Sequence, residues 1–321
     1  LGALTADHRL TANGRLMVFC SGRNTVSGAE LHPNFKLTQT QGDRAVLSDA
    51  SANIVDNFQF TDPTQANHSW GRTTDGAGNW SLFQTPTPNA ANAGAGPYYA
   101  TKPNFSQPAG YYGGAVSLAL SSPDAGVTIR YTLNGSEPTA TSTAYAAPIN
   151  IAATTVVRAR AFSATPGVPP SFIETNTYLV GVTHGVAILS CASDDAQTLL
   201  DGNGGIEPIA SMEYFGPDGA LRDEVTGTMD EHGQDSWAYD QRGFDWVTRD
   251  QLGYSNAIHY PVFGISDRDE YQRVIVKAAA GDNYEFGPGQ TEHIRDAYVQ
   301  ALSQAGERKL DARSYEHAVV Y

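Results

Sequence analysis

Cysteine is almost absent from this 321-residue chain, with only Cys20 and Cys191 present. A disulfide framework is therefore excluded, and two free, buried thiols are expected in separate parts of the fold. Clustered positive charge is also missing. Twenty Lys and Arg stand against 34 Asp and Glu, a net charge of −14, so no surface exists to neutralise a phosphate backbone. Nucleic acid is excluded as a partner, and an anionic membrane surface is disfavoured for the same reason. No apolar run approaches the ~20 residues of a membrane span. The opening "LGALTADHRL" lacks the cationic stretch and apolar core of a signal peptide. The first hundred residues contain no dozen-residue window with apolar positions at helical spacing.

What is abundant points one way. The chain has 32 Gly, 17 Pro and 16 Tyr, and 40% of its residues are hydrophobic. That composition favours short strands joined by tight turns over long amphipathic helices. The expected fold is mainly β, and the length suits two or three domains. The chain lacks an initiator Met and stops inside the β-like run "EHAVVY", which reads as an internal piece of a longer protein.

Residues 1–96 contain "RLMVFCSG", "LHPNFKLT", "RAVLSDA" and "NIVDNFQF", short apolar runs closed by turn residues, the pattern of antiparallel strands. The segment runs out through "FQTPTPNAANAGAGPYYA", which reads as a linker and places the junction at 97–102. The stretches "LTANGRLMVFCSGRN", "LHPNFKLTQTQGDRAVLSDASANIVD", "HSWGRTTDGAGNW" and "FQTPTPNAAN" resemble the lamin-tail domain of bacterial extracellular proteins. The resemblance implies an immunoglobulin-like β-sandwich whose opening strands lie upstream.

Residues 103–180 alternate more cleanly. "VSLALSS", "VTIRYTL", "TTVVRARAFS" and "ETNTYLV" each read as a strand, and Asn134-Gly135 signals a tight turn. In the third of these, Val157, Ala159 and Ala161 share one face and Val156, Arg158 and Arg160 the other. Strands at this spacing imply a second sandwich. "IRYTLNGSEPT", "TAYAAPINIAATTVVRARAF" and "TNTYLV" resemble the chitobiase C-terminal-type, fibronectin-III-associated module, which occurs as a spacer beside catalytic domains. A sugar-binding face would draw on Tyr131, Tyr145 and Tyr178; core or rim packing is the alternative for each.

Residues 184–321 change character. "GVAILSCASD" reads as a buried strand, and "IASMEYFGPDGALRDE" as strand, turn, strand. "RVIVKAA" fits strand or helix. "TEHIRDAYVQALSQAG" reads as a helix capped by Thr291, with Ile294, Tyr298 and Leu302 on one face, and "SYEHAVVY" as a strand. The class is α+β. "GIEPIASMEYFGPDG", "HGQDSWAYDQRGFDWVTRDQLGYSNAIHYPVF", "DRDEYQRVIVKAAAGDNY", "HIRDAYVQALSQ" and "LDARSYEHAVVY" resemble the N-terminal part of the CotH family of atypical protein kinases. This implies a kinase-like fold that takes ATP with Mg or Mn and transfers phosphate to cell-surface or coat proteins. With the two spacer modules, it implies an exported bacterial multidomain protein, extracellular or at the cell surface.

Phosphoryl transfer needs a phosphate cradle, a cation and carboxylates for metal and base. Gly233 and Ser236 in "EHGQDS" are candidates for the cradle, with a plain hairpin turn as the alternative. Where the family carries a lysine this chain has Arg242, whose planar fork is not an equivalent phosphate ligand. Lys277 is a second candidate cation. Asp282 and Arg295 occupy positions regular in the family, and serve either the nucleotide pocket or local capping. The resemblance places the general base and metal-binding aspartates beyond Tyr321, so no catalytic residue is expected within this chain. Neither "DGNGG" nor "TTDGAGNW" completes a calcium loop, and Glu231, His232 and Asp235 are too local to make a convincing metal site. The competing reading is a non-catalytic surface or adhesive protein, with a carbohydrate-binding accessory, and glycans as partners, as a third.

Overall fold

The computed structural model describes residues 10–28, 30–233, 237, 239–264, 267–278, 295–305 and 315–321. The chain is mainly β, and among the described residues the first α-helix begins only at Ala196. It divides into two compact units. The first comprises Leu1–Tyr99 with Thr165–Pro169 and Asp250–Tyr254, and the second comprises Ala100–Ala164, Pro170–Arg249 and Ser255–Tyr321.

The first unit is built from small sheets. Strands Thr25–Ser27 and Glu30–His32 pair, as do Arg44–Ser48 and Ile54–Gln59, while Ser69–Arg72, Trp80–Phe83 and Ala95–Gly96 form a three-stranded sheet. Aromatics hold it together. Phe58 lies 4.1 Å from the Trp80 ring and Trp70 stacks on Tyr98 at 5.7 Å. The stretch read as a linker is packed: Ala95–Gly96 is a strand edge, and the hydroxyl of buried Tyr99 lies 2.6 Å from His68 Nδ1. Its tyrosines supply the apolar area that its Pro, Gly and Asn lack. Asp250 joins this unit from far along the chain. Its carboxylate accepts from the amides of Gln39 and Thr40 at 3.0 and 3.1 Å and from the Thr40 hydroxyl at 2.5 Å.

The second unit holds two larger sheets. One has five strands in the order Thr143–Ala144, Val127–Thr132, Thr155–Ser163, Glu174–Val180 and Gly110–Tyr112; the last pair is parallel. Short pairs, Val116–Leu118 with Ile149–Ile151 and Asn104–Phe105 with Leu120–Ser121, complete the second layer. The core between them is Val116, Leu118, Leu120, Ile129, Ile149, Ile151, Val157, Ala159 and Tyr178. The alternation in "TTVVRARAFS" is realised, since Val157, Ala159 and Ala161 are all fully buried. Gly135 takes a left-handed φ of 78°, as the Asn-Gly signal requires.

The other sheet has six strands in the order Arg273–Val276, Gly243–Thr248, Leu221–His232, Ile209–Phe215, Ala187–Ala192 and Ala318–Val320. The first five form an antiparallel meander, and Ala318–Val320 adds in parallel at the edge. A Pro-Asp-Gly turn joins Ile209–Phe215 to Leu221–His232, with Gly219 at φ 76° and its amide donating to Gly216 O at 2.8 Å. The core under one face is Met212, Tyr214, Val225, Met229, Phe244 and Trp246, closed by Leu199 of the helix Ala196–Leu200. "RVIVKAA" resolves as strand because Val274 and Val276 alternate into this core. The helix Arg295–Ala305 departs from expectation, since Tyr298 and Leu302 are exposed where a packed face was expected. Thr291 and Ile294 lie outside the described residues.

Candidate functional site

Three neighbouring strands of the six-stranded sheet end together. His232 pairs with Gly243, and Phe244 pairs with Val276. Gly233, Arg242 and Lys277 each sit one residue beyond a strand at this end. Gly233 is exposed with φ 100°, a conformation that costs glycine little. Gly243 is required by close approach, because a Cβ there would meet Val276 O at 2.8 Å. Lys277 is exposed. Arg295 opens the helix Arg295–Ala305 and is exposed. Ser236 and Asp282 lie outside the described residues.

Arg242 does not point freely into solvent. Its Nε donates to Trp237 O at 2.9 Å and its Nη1 to Leu200 O at 2.6 Å, and the guanidinium lies 5.8 Å from the centre of the Trp237 ring. Leu200 ends the helix Ala196–Leu200, so the cation meets a carbonyl that the helix leaves unpaired. Trp237 Nε1 donates in turn to His232 O at 3.0 Å. Arg242 and Trp237 thus fasten the base of the 233–242 loop to the helix and to the strand end.

A charged group lies next to this loop on the sheet face away from the core. His232 Nδ1 is 3.1 Å from Asp245 Oδ1, and Arg273 bonds the other oxygen of the same carboxylate. Asp245 is buried. An ionised carboxylate only accepts, so Nδ1 is the donor in this contact. The sequence contained one sign of this group, an Asp at the centre of the apolar strand "GFDWVT", but its partners come from two other strands. Among the described residues no three His, Cys, Asp or Glu side chains converge as metal ligands.

Two surface depressions, of about 400 and 300 Å³, belong to the first unit. Arg15, Met17 and Asp75 line one, Ser69, Gly71 and Phe83 the other, and Thr87, Pro88 and Asn92 line both. None of the described residues considered for nucleotide lines either. The tyrosines considered for a sugar face are also accounted for: Tyr178 is fully buried, and Tyr131 and Tyr145 pack against the sandwich core.

Residues 107–171 match the family profile of the Chitobiase/beta-hexosaminidase C-terminal domain. The match spans about a fifth of the chain and falls within the five-stranded sandwich. No curated protein matches the chain. The chain therefore carries a β module similar to this accessory domain of carbohydrate-active enzymes.

Proposed function

We propose that residues 184–321 are the nucleotide-binding part of a CotH-like kinase, carried at the cell surface by an exported bacterial multidomain protein. Its lamin-tail-like and chitobiase C-terminal-like segments act as spacers. The observation that carries this reading is the convergence of Gly233, Arg242 and Lys277 at one end of three adjacent antiparallel strands. Strand, glycine-containing loop, strand, strand ending in Lys and then helix is an order that can bring backbone amides and one ammonium to a triphosphate. In this arrangement the loop amides near Gly233 receive phosphate oxygens and Lys277 supplies positive charge. Arg242 acts one step back, keeping the loop base in place through Leu200 O and Trp237 O. Bound Mg or Mn would neutralise phosphate charge, and surface or coat proteins would be the acceptors.

Calorimetry of the full chain with ATP and Mg²⁺ or Mn²⁺ tests this. Binding is expected, weakened roughly tenfold by Lys277→Ala, the loss of one charge-assisted contact. Arg242→Ala should weaken binding and also increase proteolysis within 233–242. Absence of binding by the folded wild-type chain would overturn the reading. The engagement of Arg242 by two carbonyls favours a second reading, in which the sheet is a non-catalytic structural unit of a surface protein. ATP binding that depends on Lys277 would rule that out.

A further inference from the structure

The six-stranded sheet has a second face that is part apolar, where Ile188 and Phe215 pack on Leu179, and part polar. Ser190, Ser211, Glu213 and Glu224 lie on it in three neighbouring strands, opposite the Met212–Trp246 core. The strand Glu174–Val180 of the five-stranded sheet packs onto this face. Thr177 meets Glu213 twice, its amide donating to Oε1 at 3.1 Å and its hydroxyl bonding Oε2, and that hydroxyl also lies 2.7 Å from Ser190 Oγ. Glu213 is 1% exposed. Its direct partner across the strands is another carboxylate, Glu224.

No Lys or Arg forms an ion pair with Glu213 or Glu224 among the described residues. The charged groups around the pair are Glu174, which holds Lys102 at 2.5 Å, Asp223, and Arg158, which donates to Gly135 O at 3.0 Å. Cys191 and Tyr178 neighbour Ser190 and Thr177 in sequence, but they face the cores on either side of the seam. The Ser211 hydroxyl is buried without a hydrogen bond. Two like charges directly opposite in a sheet repel, and a buried charge without a partner is costly.

We propose that this seam is a proton-operated junction: neutral Glu213, opposite neutral Glu224, holds the strand Glu174–Val180 against the six-stranded sheet, and ionisation of both loosens it. In the neutral state the Glu213 carboxyl donates to Thr177 Oγ1, Thr177 donates to Ser190 Oγ, and the Thr177 amide still donates to Oε1. When Glu213 loses its proton the chain reverses: Ser190 donates to Thr177, and Thr177 donates to the carboxylate. Two negative groups then face each other, Glu213 buried and Glu224 half-buried.

The titration range supports this order. Burial, and then the charge of Glu224, pushes Glu213 well above the usual carboxylate range. Burial pushes Glu224 to about 7, with Lys102 opposing and Glu174 adding to the rise. A carboxyl raised on folding contributes stability that is complete below its unfolded value near 4.3 and is lost as pH climbs through the folded value. The seam is therefore tightest in acid and weakens through neutrality, opposite to a carboxylate held by an ion pair.

Amide hydrogen exchange of the full chain, read at Thr177 and its neighbours and corrected for intrinsic rates, tests the junction. Protection at Thr177 should fall about tenfold or more between pH 5 and pH 8 in the wild type, the effect of roughly one unit of linkage. Glu213→Gln with Glu224→Gln keeps the neutral hydrogen bonds and should abolish the fall. If that double variant does not fold, Glu224→Gln alone should reduce it. A wild type equally protected at both pH values, or a folded variant that loses protection as the wild type does, would overturn the proposal.

Discussion

Gly227 sits in the middle of the twelve-residue strand Leu221–His232, facing Ala210 on one side and Thr248 on the other. A Cβ there would lie 2.3 Å from Val247 O and 3.0 Å from Thr248 Cα. Both obstacles are backbone of the neighbouring strand, so no side-chain rotation relieves them. Gly227→Ala should destabilise the second unit by about 3 kcal/mol, the upper part of the range for overpacking. A lower denaturant midpoint with unchanged slope checks this; an unchanged midpoint refutes the close approach. A lone glycine in a strand pattern is a readable sign of such contact. What it approaches is not readable, since Val247 comes from another strand. Glu213 illustrates the same limit. "SMEYF" shows a Glu inside an apolar strand, but nothing local tells that Thr177 and Ser190 enclose it.

At the scale of elements, local pattern carried the strands well. Thr155–Ser163, Glu174–Val180 and the pair around the Pro-Asp-Gly turn lie where alternation and turn chemistry put them. Each is fixed by period-two burial and by a nearby turn, both local properties. Elements held by distant contacts were less legible. The apolar stripe of Arg295–Ala305 is real in the sequence, but Tyr298, Val299 and Leu302 are exposed. The turn Asp250–Leu252 was read as part of the third segment, although Asp250–Tyr254 groups with the first unit. Its tie is one carboxylate serving two amides and a hydroxyl more than two hundred residues away. Asp250→Ala should cost about 2 kcal/mol, because the Gln39 and Thr40 donors lose a charged acceptor. Asp250→Asn, which keeps an acceptor oxygen, should lose less. A thermal melt followed by tryptophan fluorescence is the measurement, and equal melts for the three proteins would refute the tie.

Across the whole molecule, the two cysteines become separate reporters. Both are free, and they belong to different units. Burial pushes both thiols up, Cys191 to about 12, with Glu213 adding to the rise. The thiolate is the reacting form, so Cys191 should be labelled at neutral pH only when the second unit opens. In a urea series monitored by mass spectrometry of labelled peptides, Cys20 and Cys191 should show their own midpoints, since each follows its own unit. Coincident midpoints would mean that the units unfold as one; rapid labelling of Cys191 without denaturant would contradict its raised thiol pKa.

Each larger sheet of the second unit joins its first and last strands side by side and in parallel: Gly110–Tyr112 with Tyr178–Val180, and Ala187–Leu189 with Ala318–Val320. Tension applied to the two ends of such a sheet drags these neighbours past each other along their length. The load then falls on the cross-strand bonds together, including Tyr321 N to Leu189 O at 2.8 Å and Cys191 N to Tyr321 O at 2.9 Å. An antiparallel terminal pair would instead peel, breaking one bond at a time. In the five-stranded sheet the short strand Gly110–Tyr112 is the part that must slide first, and Tyr178, buried beside it with its hydroxyl donating to Gln107 O at 2.9 Å, is the bolt that resists the slide.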